Sequence, residues 1–350
     1  MQKGLKIFNN PDCFIEGWYW AITAKDLLVG QVKAVSLMGK ELAIFRNFEK
    51  QLIAVNAYCP HMGAHLAEGK VEGAGIRCFF HNWKFDSDGK CIEVPCLNKS
   101  LPVNLKVYPT AEKYGLIWVW TGKNSPKSLP LIPELEKEEC EVIVASSFTK
   151  NCHPHVLIIN AIDAHHFNTV HNLPLEINFD KAELNQNAIA FNNTTRGGDD
   201  SFFIKLIRPF YRNEVTYKIC YWYASTGTVT IGPDFLHFYI MFALRAIEGG
   251  KTAGKTILIT KKRLGLLGWI FNRIVLWLTW FVGNYFAKGD TKIFQTIKFN
   301  LQTPTSADRA IVDLIEHTEG QQALSWESWE EVEGGGGLTT AKYSQKISQS

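Results

Sequence analysis

The segment Cys59-Pro60-His61-Met62-Gly63-Ala64-His65, continued by Cys78-Phe79-Phe80-His81-Asn82-Trp83-Lys84-Phe85-Asp86 and by Asp88-Gly89-Lys90-Cys91, decides how this chain reads. Sixteen residues separate His61 from Cys78. Each half offers one thiol and one imidazole from a turn between strand-like runs. Two Cys and two His make zinc the generic expectation. The grouping argues otherwise, because finger-type zinc sites pair Cys with Cys and His with His. A mixed pair on each loop suits a [2Fe–2S] cluster with both thiolates on one iron and both imidazoles on the other. Such ligation raises the reduction potential, since neutral imidazole replaces anionic thiolate.

Around this segment the chain alternates short β-branched and aromatic runs with turns. QVKAVSL (31–37), ELAIFRN (41–47), QLIAVNAY (51–58) and YGLIWVWTG (114–122) read as strands. Gly39-Lys40, Gly73-Ala74-Gly75 and Asp88-Gly89 punctuate them. Residues 15–122 are expected to form a compact all-β domain. Residues 123–139, with Pro126, Pro130 and Pro133 and then a charge run, read as a linker.

From residue 140 the pattern changes. EVIVASSF (141–148), AIAFNNTT (188–195), SFFIKLI (201–207), EVTYKICYWYA (214–224), TVTIG (228–232), LHFYIMFALRAI (236–247) and KTILITKKR (255–263) are strand-like. Residues 160–172 and 306–324 read as helices, the second with Ser306 as N-cap. Strand runs flanked by helices predict an α+β domain over 140–330 built on one antiparallel sheet. Residues 331–350, with Gly334 to Gly337, read as a flexible tail.

A second constellation lies in the 160–172 helix. Asn160, Asp163, His165, His166 and His171 fall within twelve residues. Asn160, Asp163 and His166 share one helical face at a spacing of three. His166 and His171 are five apart and meet at one metal only if the helix ends near Thr169–His171, which Asn172 and Pro174 favour. Two imidazoles and one distant carboxylate make the facial triad of non-haem Fe(II) oxygenases, which leaves metal positions open for dioxygen and substrate.

The two constellations, in this order, resemble those of the Rieske non-haem iron oxygenases, catalytic subunit. C-P-H-M-G-A-H…C-F-F-H-N-W-K-F-D…D-G-K-C is similar to the family's cluster motif, and N-x-x-D-x-x-H-x₄-H to its mononuclear iron segment. The wording is closest to the branch holding Neverland-type sterol 7-desaturases, ketosteroid hydroxylases and chlorophyll-pathway oxygenases. The resemblance implies a Rieske β domain followed by a helix-grip (START-like) catalytic domain. It implies cluster ligation by Cys59, His61, Cys78 and His81, and iron ligation by His166 and His171. Asp163 then corresponds to the carboxylate that bridges to a cluster histidine of a neighbouring subunit, and Asn160 to a residue near the iron. The third ligand is expected well over a hundred residues downstream, at the start of a C-terminal helix. Asp290 fits, although Gly289 stands where the family usually carries an acid. Asp308 is its rival and Asp313 a more distant one. His65 matches no ligand, and Cys91 and Cys96 read as unpaired structural thiols.

The resemblance further implies a separate ferredoxin or reductase, dioxygen as co-substrate and a homotrimer. It implies monooxygenation, dioxygenation or desaturation of a small apolar substrate such as a sterol, lipid, aromatic or pigment. Two other readings stay open: an electron-transfer Rieske protein, and a lipid- or pigment-binding module.

Composition narrows the field. The 350 residues carry 37 Lys and Arg against 34 Asp and Glu, a net charge of +3, which excludes a strongly basic nucleic-acid binder. No G-x-G-x-x-G follows a strand, so neither NAD nor flavin is expected. Eight Cys are too few for a disulfide scaffold, and the first residues do not read as a secretory signal, so a cytoplasmic chain is expected. Residues 264–287 carry one charge, Arg273, and follow Lys261-Lys262-Arg263. Such a helix packs internally or at a subunit interface, lies peripherally on a membrane, or spans it, the last disfavoured by Asn272, Arg273 and Asn284. The apolar pocket walls are expected from 200–245, with Phe202, Phe203, Phe235, Phe238 and Tyr239, and from 264–287.

Overall fold

The computed structural model describes residues 6–97, 99–171, 177–196, 214–233 and 235–325. The run SFFIKLI with Phe202 and Phe203, the residues Asn172 and Pro174, and the tail 331–350 lie outside them. The chain divides into two compact units. One holds Ala24–Ala111 and Val119–Pro126; the other holds residues up to Thr23, Glu112–Trp118 and Lys127–Ala323.

The first unit is all β. One four-stranded antiparallel sheet runs Val32–Leu37, Lys40–Arg46, Leu52–Asn56 and Val107–Tyr108. A second runs Lys70–Glu72, Gly75–Arg77, Lys84–Phe85 and Cys91–Glu93. Phe45, Ile53, Val55, Leu66, Ile76 and Phe85 form its core, and the Cys59 and Cys78 side chains are part of the same cluster. Gly89 holds a turn at φ +80° where any Cβ would run into the Leu105 carbonyl. Asp86 Oδ1 closes that turn by accepting from the Asp88 and Lys90 amides at 2.9 and 2.8 Å.

The second unit is α+β. Its seven-stranded antiparallel sheet runs Cys140–Lys150, Lys251–Lys261, Phe238–Ile247, Thr226–Pro233, Glu214–Trp222, Ala188–Arg196 and Asp180–Asn185. Among the described residues four helices accompany it: α1 (Pro154–Asn160), α2 (Ala164–Thr169), α3 (Gly265–Thr296) and α4 (Arg309–Glu319). The strand runs expected from the sequence among the described residues are all present.

The helices differ from expectation in three ways. The segment 160–172 is not one helix, because Asp163 is extended (φ −81°, ψ 95°) and caps α2. Asp163 and Asn160 therefore share no continuous helical face. The 306–324 segment begins with a 3₁₀ turn capped by Thr305, not Ser306, whose hydroxyl and amide both bond Asp308 at 2.7 Å. Asp290 does not start a new helix but lies near the end of α3, which runs 32 residues. A stripe of α3 at helical spacing, Asn272, Val275, Leu276 and Thr279, is buried. Asn272 pins it, donating to Glu141 Oε2 at 2.9 Å and accepting from Arg263 Nη1 at 3.0 Å.

Two candidate metal centres

In the β unit, the Cys59 loop follows the strand Leu52–Asn56, and the Cys78 loop joins Gly75–Arg77 to Lys84–Phe85. Each loop is closed by its own backbone. The Gly63 amide donates to the Cys59 carbonyl at 2.9 Å and the Asn82 amide to the Cys78 carbonyl at 3.1 Å. The first closure needs Gly63 at φ +74°. Arg77 braces the second loop, donating to the Asn82 carbonyl at 2.7 Å while paired with Glu72 and Glu93, each at 2.8 Å.

The four candidate ligands sort by type. Cys59 and Cys78 are buried at 2% exposure each, whereas His61 and His81 are exposed. The imidazoles lie 4.6 Å apart between centroids, and Trp83 stacks on His61 at 4.5 Å and 6°. Burial, with the Cys78 thiol adjacent, pushes the Cys59 thiol up to about 12, and burial with His81 nearby pushes His61 down. A metal reverses the first effect by binding thiolate and exploits the second by binding neutral imidazole. Two buried sulfurs and two nitrogens at the rim fit a cluster held at one end in the core and at the other by exposed rings. His65 points away from this role, since its Nδ1 accepts from the Ala67 amide at 3.1 Å and caps the turn that follows. Cys91 is buried, Cys96 is exposed, and both are free thiols.

In the α+β unit, His166, His171 and Asp290 present donor atoms that all lie within 4.8 Å of one another. Asp290 Oδ1 is 3.0 Å from His171 Nε2 and 3.6 Å from His166 Nε2. α2 ends at Thr169, which lets His171 turn back toward the His166 ring, 5.0 Å away. His171 Nε2 and Asp290 Oδ1 are both buried without a hydrogen-bond partner. Orphaned donors converging on one point are the arrangement a bound cation satisfies.

The surroundings orient these side chains. The His166 Nδ1–H donates to the Asp163 carbonyl at 2.8 Å, leaving the Nε2 lone pair for the site. Burial opposes charge on His166, but Asp290 and the Asp163 carbonyl outweigh it and hold its pKa above the ordinary value; burial holds His171 below. Asn160 Nδ2 lies 3.3 Å from His166 Nε2. Asp163 Oδ1 accepts from the His165 and His166 amides at 3.1 and 3.2 Å. Tyr217 and Tyr221 fasten the α1–α2 junction to the sheet through the Ala161 carbonyl (2.8 Å) and the Ile158 carbonyl. Asp308 is not with these groups; it is occupied by the Thr305 cap, and Asp313 pairs with Lys181 and Arg309, each at 3.3 Å.

The three donors open onto a cavity of about 290 Å³ between the sheet and helices α1, α2 and α3. Its aromatic lining includes Phe148, Phe167, Tyr217, Phe242, Trp280 and Phe286. Phe235, Phe238 and Tyr239, expected as walls, do not line it. Strand alternation turns Ile240, Phe242 and Leu244 to the cavity and Tyr239 to the other face, while Phe235 precedes the strand. Sequence reasoning missed Lys150, and it reached Tyr217 and Phe286 only as unnamed members of the expected wall segments 200–245 and 264–287. Phe286 flanks His171 at 5.0 Å, and its signal was its place four residues before Asp290, on the same helical face. Lys150 lines the cavity and donates to Thr291 Oγ1 at 3.1 Å.

A family model for the Rieske [2Fe–2S] domain matches residues 17–109. The chain is 36% identical over 168 residues to a cholesterol 7-desaturase of Xenopus laevis, covering 46% of this chain and 37% of that protein. It is 30% identical over 182 residues to the oxygenase component of a 3-ketosteroid-9-alpha-monooxygenase of Rhodococcus rhodochrous, covering 49% and 48%. The match thus spans less than half the length of either relative. The crystal structure of dicamba monooxygenase superposes with a TM-score of 0.66 at 18% identity, covering 87% of this chain and 96% of that one, and so shares the fold. With a Rieske [2Fe–2S] domain over residues 17–109, this fold, and relatives named as a sterol desaturase and a ketosteroid monooxygenase, the chain is similar to the Rieske non-haem iron oxygenases.

Proposed function

We propose that the chain is an oxygenase component that hydroxylates or desaturates an apolar, sterol-sized substrate with electrons from a separate ferredoxin or reductase. The observation that carries this reading is the convergence of His166, His171 and Asp290 at the wall of an apolar cavity. In this reading Cys59 and Cys78 hold one iron of a [2Fe–2S] cluster, His61 and His81 the other, and His166, His171 and Asp290 hold a mononuclear Fe(II). The cluster would supply single electrons, and the mononuclear iron the activation of dioxygen.

The rest of the work falls to this chain's own side chains. Phe167, Phe286 and Trp280 exclude water beside the ligands, which protects a reactive site from side reactions. The Asp163 carbonyl fixes the His166 tautomer, and the tyrosine anchors hold the α1–α2 junction in place. Asp163 Oδ1 is taken up by two amides, which leaves Oδ2 for a histidine of a neighbouring subunit. We accordingly assign Asp163 as the inter-subunit electron bridge and Asn160 as a residue beside the iron. A bridge between subunits requires a closed ring, and a homotrimer is the smallest ring beyond a dimer. The functional division runs as Rieske domain 15–122, linker 123–139 and catalytic domain 140–330. Eight free thiols suit a reducing cytoplasm, with peripheral membrane contact through 264–287.

The test is turnover of a sterol and 3-ketosteroid panel with a surrogate reductase under isotopically labelled dioxygen. Label in a hydroxylated product, or a new double bond formed only in the presence of dioxygen, is the expected result. Iron and acid-labile sulfide on anaerobically purified protein should approach three irons to two sulfides per chain. Two irons to two sulfides, unchanged after reloading with Fe(II), would instead favour the electron-transfer protein.

A further inference from the structure

Helix α3 is amphipathic in an unusual sense, because its outward face is the greasier one. Leu266, Leu267, Trp269, Ile274, Trp277 and Phe281 are 51–82% exposed, and Leu264, Ile270, Phe271, Trp280 and Tyr285 are also exposed. From Leu266 to Tyr285 this face runs about 28 Å at 1.5 Å per residue. It is far larger than the isolated apolar residues that normally dot a surface. The 23 residues Gly265–Ala287 are long and apolar enough to cross a bilayer. They are not placed to do so: Asn272, Val275, Leu276 and Thr279 are buried along the opposite stripe, and Asn272 is hydrogen-bonded to Glu141 and Arg263. A helix fixed lengthwise to its own domain meets a membrane only in the plane of the interface.

We infer that α3 docks the protein on an anionic lipid surface and that its substrate reaches the cavity from within the bilayer. Three features select lipid over a protein partner. From residue 261 to 289 the sequence carries five basic residues and no acidic one. Glu138 and Glu139 pair with Lys261 and Lys262, and Glu141 approaches Arg273. Arg263 and Arg273 nonetheless ride on aromatic faces, over Phe271 at 4.5 Å and Trp269 at 5.6 Å, as cations do at headgroup level. The exposed row offers few hydrogen-bonding groups, whereas a protein interface of this length needs several. Finally, Trp280, Asn284 and Ala287 line the cavity and are also exposed, so the docking helix is itself a cavity wall. The second clause of this inference rests on the oxygenase reading, but the first does not.

The test is flotation of the full-length, metal-loaded protein with phosphatidylcholine vesicles carrying about a third phosphatidylglycerol. The parent chain should float with them, more weakly with pure phosphatidylcholine, and brominated lipid should quench its tryptophan fluorescence. The triple variant Leu267→Glu, Trp277→Glu, Phe281→Glu touches neither the cavity lining nor the ligands. It should bind at least about a hundredfold more weakly, with iron and sulfide content unchanged. The quenching measurement on the parent needs no variant and decides the matter should the triple variant misfold. A parent that neither floats nor is quenched overturns the proposal, as does a variant that floats equally well. So does a parent that stays off vesicles as an assembly which the triple variant dissolves, since the face would then belong to a second copy. Loss of the mononuclear iron in the parent would remove the oxygenase reading and leave the flotation result standing.

Discussion

A single methyl group at position 289 separates the stability of α3 from the metal site it carries. Gly289 lies inside the helix, where replacing Gly with Ala ordinarily stabilises by about 1 kcal/mol. Here the new Cβ would stand 3.0 Å from His171 Cε1, 3.2 Å from Nδ1 and 3.3 Å from Val170 Cγ1, against ordinary contact from 3.4 Å. The ring must retreat by about 0.4 Å, twice the roughly 0.2 Å tolerance of a metal–nitrogen bond. Changes that misplace a ligand in this way cost about 10- to 100-fold in metal affinity. Gly289→Ala should therefore lose one iron per chain, keep its sulfide and cluster spectrum, and melt at the parental temperature or a few degrees above. Iron titration against sulfide, alongside a thermal melt, reads both quantities. Retention of full mononuclear iron at parental affinity would refute the assignment of His171 as a ligand crowded by this position. Loss of iron and sulfide together would show that the change acts through the fold.

Three further outcomes follow from the same geometry. Asp163→Asn should keep the α2 cap and both metal centres yet lose turnover by at least about a hundredfold, while Asp163→Ala should also cost about 1 kcal/mol of stability; parental turnover in Asp163→Asn ends the bridge assignment. Asp308→Ala should lower stability by about 1 kcal/mol through loss of its capping box and leave the iron content untouched; a fall in iron would restore Asp308 as the ligand. Burial holds His153 at about 4 and His155 well below the ordinary value, and His155 Nδ1 is occupied by the Asn9 amide at 2.9 Å. The unfolded chain therefore binds more protons, so this contribution is complete above about pH 6.5 and drains away as pH falls toward 4, by about 3 kcal/mol for His153. Urea midpoints between pH 7 and 5 should fall less in His153→Asn, which keeps the α1 cap, than in the parent. Equal slopes would show that His153 is not buried neutral.

What the sequence made legible was whatever lies close together along it. The cluster loops are two short turns, each closed by its own backbone, and their Cys, His, Gly and Trp residues identify themselves without knowledge of the sheets that hold them. The same holds for the pairing of His166 with His171, which needs only that a helix stop near Thr169. Features fixed by distant packing were hidden. Asp163 resembles a helical residue by spacing, but the carboxylate gains more by accepting two amide protons as a cap than by continuing the turn, and this breaks the segment in two. The preference for Asp290 over its rival Asp308 rested on resemblance and not on a distinctive local pattern, because both sit in helical sequence with an isoleucine three residues after. Asp308 has a threonine three residues before it and is claimed by that cap. Asp290 has a glycine before it, and the space that glycine leaves admits the His171 ring. The residue that departs from the pattern of the resembled family is thus the one that makes room for the His171 ring beside it, and this follows only once α3, laid along the sheet by Asn272, brings the last turns of a 32-residue helix back to α2.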